Sequence, residues 1–150
     1  MASVRPITPA DRDAWLRMRV LLWPEDAAGL ADEVDAHFAD GSAPYALGAV
    51  FVAERGEGGL CGFAEAGIRP FSDASEEMPC AHVEGLFVDE DMRRTGVARD
   101  LIAAVEAWAR AKGHHELGSD YLIENDASAG FHAAHGFEVV ERLVMVRKKL

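Results

Sequence analysis

The sequence predicts one α/β domain spanning residues 1–150, and three observations carry that prediction. The period of the apolar residues changes along the chain, between runs or alternations that suit strands and i, i+3, i+4 stripes that suit helices. The resulting order is β-α-α-β-β-β-α-β-α-β-β. A length of 150 residues is that of a single domain. Such a chain buries roughly 68–70 % of its unfolded surface, enough for a core without disulfide or metal staples. With 49 % hydrophobic and 27 % charged residues, the composition is that of an ordinary globular protein and not of a disordered acid.

The elements follow in order. Val4–Ile7 suits a short strand. Thr8-Pro9-Ala10-Asp11 is a helix start, with a hydroxyl cap, proline at the first helical position and an early acid. Trp15, Met18, Arg19 and Leu22 continue at helical spacing until Pro24 stops them. Glu25 to Asp40 predicts a second, acidic helix with Leu30, Ala31, Val34 and Phe38 on one side, closed by Gly41-Ser42. Leu47–Glu54 and Leu60–Arg69 flank Arg55-Gly56-Glu57-Gly58-Gly59 and form a hairpin, whose glycines make a turn and not a phosphate loop. Pro70 to Pro79, with Asp73, Glu76 and Glu77, is a loop and a candidate binding rim.

Ala81–Val88 is almost continuously apolar, as a strand covered on both faces should be. Val97, Leu101, Ala104, Val105 and Trp108 mark the apolar stripe of the next helix, ended by Gly113. A strand Glu116–Leu122, a helix Ala127–His135 and strands Phe137–Val140 and Leu143–Lys148 complete the chain. No internal repeat or linker interrupts it.

Charge and composition exclude several classes. Lys+Arg number 15 against 26 Asp+Glu, a formal net charge of −11. Phosphates of nucleic acid demand a basic surface, so nucleic acid is not an expected partner. A negative field instead raises the local concentration of a cationic ligand, although acidity also serves solubility alone. The longest apolar stretch, Tyr45 to Ala53, is far short of the ~20 residues that span a bilayer, so no membrane is expected either. Arg5, Asp11, Arg12, Asp13, Arg17 and Arg19 leave no signal-peptide core in the first twenty residues. Cys61 and Cys80 have neither metal nor redox spacing, which predicts reduced thiols, a cytoplasmic location and no covalent cysteine mechanism. His132 and His135 share a helix face and His114-His115 are adjacent, but no further ligand pattern completes a zinc site, so no metal is expected.

The most specific feature joins a strand to a helix. Val83-Glu84-Gly85-Leu86-Phe87-Val88 runs through Asp89-Glu90-Asp91-Met92 into Arg93-Arg94-Thr95-Gly96-Val97-Ala98-Arg99. Unpaired amides at a helix N-terminus, aided by the helix dipole, make an anion site. Gly96 lets the backbone approach phosphate oxygens closely. Arg93, Arg94 and Arg99 reverse the local charge of an acidic protein, and basic residues there oppose the dipole unless an anion resolves the conflict. A solvated basic first turn is the competing reading. Neither a P-loop nor a Gly-x-Gly-x-x-Gly fingerprint is present.

Arg93-x-x-Gly96-x-Ala98 after a hydrophobic strand resembles the coenzyme A pyrophosphate motif of the GNAT acetyltransferase superfamily. Asn125-Asp-Ala-Ser128-Ala-Gly-Phe-His132-Ala-Ala-His135-Gly136-Phe137 is similar to its second block, with Ser128 replacing alanine and His132 replacing tyrosine. Leu22-Trp23-Pro24, Val83 to Val88, Ser119-Asp120-x-x-x-Glu124-Asn125 and the Arg147-Lys148 ending narrow the likeness to aminoglycoside 6′-N-acetyltransferases. The loop Phe71–Cys80 and the segment Ala27–Gly48 carry no such likeness. The resemblance implies a mixed, mostly antiparallel central sheet flanked by helices and splayed at the cofactor-binding strand, a homodimer, and acetyl-CoA as co-substrate.

An unpaired Glu84 carboxylate inside an apolar strand would be costly to desolvate. By resemblance, Glu84 and Asp120 bind the ammonium groups of the substrate, with Asp120 as proton acceptor directly or through water. The competing readings are an arginine partner for Glu84 and a turn or cap acid for Asp120. Trp23 beside Pro24-Glu25-Asp26 suits a polyhydroxylated cationic ring, against the alternative of a core tryptophan. Phe71 and Asp73 are further rim candidates, and Glu141 is a substrate acid on the resemblance alone.

The same resemblance gives backbone groups of Phe87, Val88 and Asp89, together with Asn125, to the pantetheine arm. It gives Arg93, Arg94, Thr95, Gly96, Val97, Ala98 and Arg99 to the pyrophosphate. His132 stands at the place of the tyrosine acid; a thiolate of pKa near ~8.5 needs little help to leave, and a helix-surface histidine is the other reading. The expected activity is acetyl transfer from acetyl-CoA to the 6′-amine of an aminoglycoside antibiotic, with resistance as its consequence. The alternatives are another amine acceptor (a polyamine, an amino sugar, a protein N-terminus) and a non-catalytic acyl-CoA sensor.

Overall fold

A computed structural model describes residues 2–41 and 47–150; Ser42, Tyr45 and Ala46, read above as a helix stop and part of an apolar run, lie outside the described residues. Five strands form one sheet in the order β1 (Ser3–Pro6), β2 (Leu47–Glu54), β3 (Leu60–Arg69), β4 (Cys80–Val88), β5 (Leu117–Gly118). The first three pairings are antiparallel and β4–β5 is parallel.

Two layers of helix cover the sheet. On one face, Trp15 and Met18 of α1 (Arg12–Leu22) and Val34 of α2 (Ala27–Ala39) pack on Val50, Val52, Leu60 and Phe63. On the other, Val97, Leu101, Ile102 and Val105 of α3 (Val97–Ala111) pack on Ala53, Cys61, Ala64, Ala66, Val83 and Val88. Small residues under α3 let it sit close: a Cβ on Gly62 would stand 3.3 Å from both Leu101 and Val97 side chains. A fourth helix, α4 (Asp126–Ala134), follows β5. Among the described residues, no helix is long and apolar enough to cross a membrane.

The first helical turn differs from expectation. Pro9–Asp11 is a 3-10 turn, and Asp11 turns its carboxylate back to the Thr8 N–H at 2.8 Å and to Arg5 at 2.7 and 2.9 Å. The expected strand Glu116–Leu122 is only two residues long. Its parallel pairing consists of Ala81↔Leu117 and His82↔Gly118, beyond which β4 runs on to Val88 with no strand on that side among the described residues. This divergence is the splay. The expected strands Phe137–Val140 and Leu143–Lys148 do not form: residues 138–150 are exposed and unladdered. Alternating apolar residues become a strand only against an edge that accepts their backbone, and no described strand lies beside them.

Candidate active site

The site is built around a bulge in β4. Glu65 stands opposite Gly85 and Ala66 opposite Val83, so Glu84 is an extra residue without a β3 partner. A bulge of this kind re-aims its side chain and often borders an active site. The Glu84 side chain, 7 % exposed, accepts two hydrogen bonds from Arg69, Nε to Oε1 at 2.8 Å and Nη2 to Oε2 at 2.7 Å. The bidentate geometry places a counter-charge against a carboxylate that burial alone would disfavour.

Gly85, next in the bulge, makes room for Trp23. A Cβ on Gly85 would lie 2.6 Å from Trp23 Cη2 and 3.0 Å from Cζ2. Trp23 sits at the break between α1 and the 3-10 turn Pro24–Asp26, at φ −128° and ψ 67°, because Pro24 cannot continue the helix. The Arg19 guanidinium carbon lies 5.1 Å from the Trp23 ring and 5.3 Å from the Trp15 ring. Arg19 is itself buried between Glu65 at 2.8 Å and Glu33 at 2.9 Å. Glu65 Oε1 also accepts the Trp15 indole N–H at 2.9 Å. Burial pushes the Glu65 carboxyl up to about 7, against the opposing pull of Arg19 and Trp15. Trp23 is half-buried, packed against the core on one side and over Gly85.

Asp120 follows β5 where the strands part. Its side chain is 78 % exposed, and Oδ2 lies 3.8 Å from His82 Nε2. His82, 1 % exposed, points Nδ1 at the Val83 carbonyl at 2.9 Å and stands 3.8 Å from Glu84. Burial, and after it the charge of Arg69, holds the His82 imidazole below its ordinary pKa. Glu84, His82 and Asp120 thus form a row leading out of the splay. Sequence reasoning passed over His82, although a histidine inside the otherwise apolar run Cys80–Val83 was its signal.

The register sorts the backbone groups offered to a pantetheine. The Asp89 N–H donates to the Cys61 carbonyl at 2.8 Å, and the Phe87 carbonyl stands 2.8 Å from the place of a Gly62 Cβ. Both therefore face β3, and the expectation that all three residues open to the cofactor is corrected. Alternation turns Leu86 and Val88 the other way, towards the splay. Val88 O accepts a bond from Arg93 Nε at 3.2 Å. Leu86 shares this outward backbone direction with Val88 and was not among the sequence candidates.

The Asp89 carboxylate is held by Arg17 at 2.9 Å and Arg55 at 3.0 Å. These residues border an open groove of about 630 Å³, lined also by Leu21, Phe87 and Arg93. Beyond it, Arg94 has φ 62° and Gly96 φ 95°, and Gly96 caps α3 without any side chain on the helix amides. Val97, Ala98 and Arg99 consequently present N–H groups that have no partner within the helix. Arg93, Arg94 and Arg99 are exposed around them, Arg99 resting on Asp100 at 3.0 Å, while Thr95 donates to the Met92 carbonyl. Free amides, a left-handed glycine and exposed guanidiniums fit a diphosphate.

The remaining candidates are engaged or distant. Asn125 Oδ1 caps α4 by accepting the Ser128 N–H at 3.0 Å. His132 Nδ1 faces the Ser128 carbonyl at 2.7 Å, and Nε2 lies 2.8 Å from Ser119 Oγ. A hydrogen on Nδ1 then makes Nε2 the acceptor of the serine hydroxyl, which ties α4 to the segment before Asp120. Glu141 is exposed within 138–150 and accepts the Arg142 N–H at 3.1 Å; Phe71 and Asp73 are exposed on the loop.

The chain is similar to known proteins over nearly its whole length. A family profile described as Acetyltransferase (GNAT) family matches residues 15–137. Two curated relatives called aminoglycoside N(6′)-acetyltransferase type 1 are similar over their lengths. The one from Stenotrophomonas maltophilia is 40 % identical over 99 % of this chain and 94 % of its own. That from Klebsiella aerogenes is 37 % identical over 98 % and 96 %. Among solved structures, AAC(6′)-Iy in complex with the bisubstrate analog CoA-S-monomethyl-acetylneamine superposes with a TM-score of 0.86 at 35 % identity, covering 100 % of this chain and 99 % of that one. AAC(6′)-Ih from Acinetobacter baumannii gives a TM-score of 0.88 at 29 % identity over 100 % and 99 %.

Proposed function

The chain belongs to the GNAT acetyltransferase family, and on that premise we propose that it transfers an acetyl group from acetyl-CoA to the 6′-amino group of aminoglycoside antibiotics, conferring resistance. The observation that carries the acceptor is the Trp23 ring lying over Gly85 beside buried Glu84, with exposed Asp120 across the splay. An aromatic plate flanked by acids suits a cationic sugar ring.

Acetyl-CoA supplies the activated acetyl thioester. The amides of Val97, Ala98 and Arg99, with Arg93, Arg94, Thr95 and Gly96, hold its diphosphate, and backbone groups of Leu86 and Val88 line its arm, with Asn125 nearby. Trp23 and Glu84 orient the acceptor, Glu84 being held in place by its two bonds from Arg69. Asp120, free to meet solvent, takes the proton that the attacking amine must lose.

The acetyltransferase domain is read as residues 1–150, cytoplasmic, with buried reduced Cys61 and Cys80. A homodimer is supported by the exposed Val144, Met145 and Val146, each 87–89 % exposed in a single contiguous run. That run carries Arg147, Lys148 and Lys149, which complement an otherwise acidic body. Equilibrium sedimentation of the full chain against a variant ending at Gly136 checks this: a monomer in both removes it.

Steady-state kinetics with kanamycin, tobramycin, spermidine and an N-terminal peptide test the acceptor, and NMR of the product tests the position. Turnover with the aminoglycosides and acetylation at the 6′ nitrogen are expected. Turnover with spermidine or peptide alone overturns the substrate class, and cofactor binding without any turnover overturns the enzyme.

A further inference from the structure

His82 is a buried histidine between two acids, and its surroundings fix its hydrogen. Nδ1 lies 2.9 Å from the Val83 carbonyl oxygen. Two acceptors repel at that distance, so Nδ1 carries the hydrogen of the neutral ring. The other nitrogen, Nε2, then presents a lone pair towards Asp120 Oδ2, 3.8 Å away. A lone pair facing a carboxylate is an arrangement lacking one proton.

We propose that His82 is the positioning residue that stores the proton which Asp120 removes from the acceptor ammonium. The inference rests on the amine-acetylating function above and deepens it by naming where the proton goes. Every group facing the ring fits this use. Glu84 lies 3.8 Å from Nδ1 and is paired with Arg69, which lowers the readiness of His82 to stay charged at rest. Ala74 and Gly118 close the remaining sides without charge: a Cβ on Gly118 would stand 3.0 Å from His82 Cδ2 and 3.2 Å from Ala74 Cβ. The ring is therefore neutral before reaction, and an added proton finds Asp120 on one side and Glu84 on the other.

The protons balance. The ammonium gives its first proton to Asp120, whose exposed side chain closes the 3.8 Å gap to pass it to Nε2. The neutral amine forms the C–N bond, the C–S bond breaks, and the sulfur leaves with the electron pair. The second nitrogen proton reaches that thiolate, and the product is an amide plus a thiol. The proton held by His82 returns through exposed Asp120 to solvent, which restores the neutral ring.

The test combines a pH profile with a direct reading of the ring. Wild-type kcat with kanamycin is measured from pH 5.5 to 9, beside His82→Phe, which keeps the ring volume, and His82→Gln. An acidic limb in the wild type is expected where the imidazole becomes charged, below the ordinary histidine range. Both variants should lose that limb and about 10²-fold in kcat, with the KM for acetyl-CoA unchanged. An unaltered limb, or kcat within threefold of wild type, overturns the storage role while leaving the acetyltransferase reading intact.

Nitrogen-15 NMR of the folded wild type decides independently of turnover. Hydrogen on Nδ1, and an imidazole pKa that changes in Asp120→Asn, are expected. Hydrogen resident on Nε2, or indifference to Asp120, overturns the proposal. Absence of wild-type turnover with every aminoglycoside would instead remove the parent function.

Discussion

The indole of Trp23 stands where a side chain on Gly85 would have to be: a Cβ there would lie 2.6 Å from Trp23 Cη2. The bulge that carries Glu84 and the position of the Trp23 plate therefore depend on adjacent residues, and the plate on Gly85. Gly85→Ala should push the indole away and raise the aminoglycoside KM about tenfold or more. Acetyl-CoA affinity should remain within a factor of two, since the diphosphate cradle begins at Arg93. Equal loss for both substrates would contradict this division.

Gly96→Ala probes the other half of the cleft. At φ 95° an L side chain is strained by about 1–2 kcal/mol. Its Cβ would meet only the flexible end of Arg99, at 3.0 Å, so packing can yield. The expected variant is folded, modestly less stable by urea titration, and weaker for acetyl-CoA by calorimetry, with the aminoglycoside KM little changed. Unaltered acetyl-CoA affinity would move the diphosphate elsewhere.

Ionic strength gives a third test. The acceptor is a polycation and the chain carries a net charge of −11. Asp120 is 78 % exposed, so its attraction is open to screening, which reaches ~8 Å at physiological salt. The aminoglycoside KM should rise several-fold between 20 and 300 mM KCl, and Asp120→Asn should flatten that rise. A KM indifferent to salt would take the acids out of substrate recruitment.

Most of this architecture was legible in the residues. Leu47–Glu54 and Leu60–Arg69 have the bounds that their apolar patterning predicts, and the buried strand before Arg93 begins one residue early, at Cys80. Local pattern suffices there because both faces of those strands are covered. It fails where pairing decides. Residues 138–150 alternate like strands, yet no described neighbour accepts their backbone. The same limit hid the β4 bulge, because register is a property of two strands. It also left open which arginine meets Glu84, Arg69 being 15 residues away, and hid the Asp89 N–H bonded to Cys61. His82 was overlooked for a different reason: one histidine in an apolar run reads as core until Asp120 is seen beside it.

The final test concerns the support of Trp23. Glu65 has a carboxyl pushed up by burial to about 7, from an ordinary 4.5. Between those values the folded chain holds a proton that the unfolded chain has released. Stability from this group is thus fully present below pH 4.5 and is lost as pH rises towards 7, by on the order of 3 kcal/mol. Asp11 works in the opposite sense and in another window. Arg5 holds its carboxyl down at about 2, from 3.8, so its contribution is present above pH 3.8 and lost as pH falls towards 2. Urea unfolding at pH 4.5, 6 and 8 isolates Glu65 as the difference between wild type and Glu65→Gln, because the His37 and His82 imidazoles, held low by burial, act with the opposite sign in both proteins. The wild type should weaken relative to Glu65→Gln across this series, the variant keeping an oxygen for Trp15 and Arg19. Arg19→Met, which strips the buried acid of its partner, should cost about 3–5 kcal/mol at pH 8 and less at pH 4.5, where the acid is neutral. Parallel lines for wild type and Glu65→Gln would mean that Glu65 does not titrate in this range, and that Arg19 keeps its full ion pair beneath Trp23 throughout.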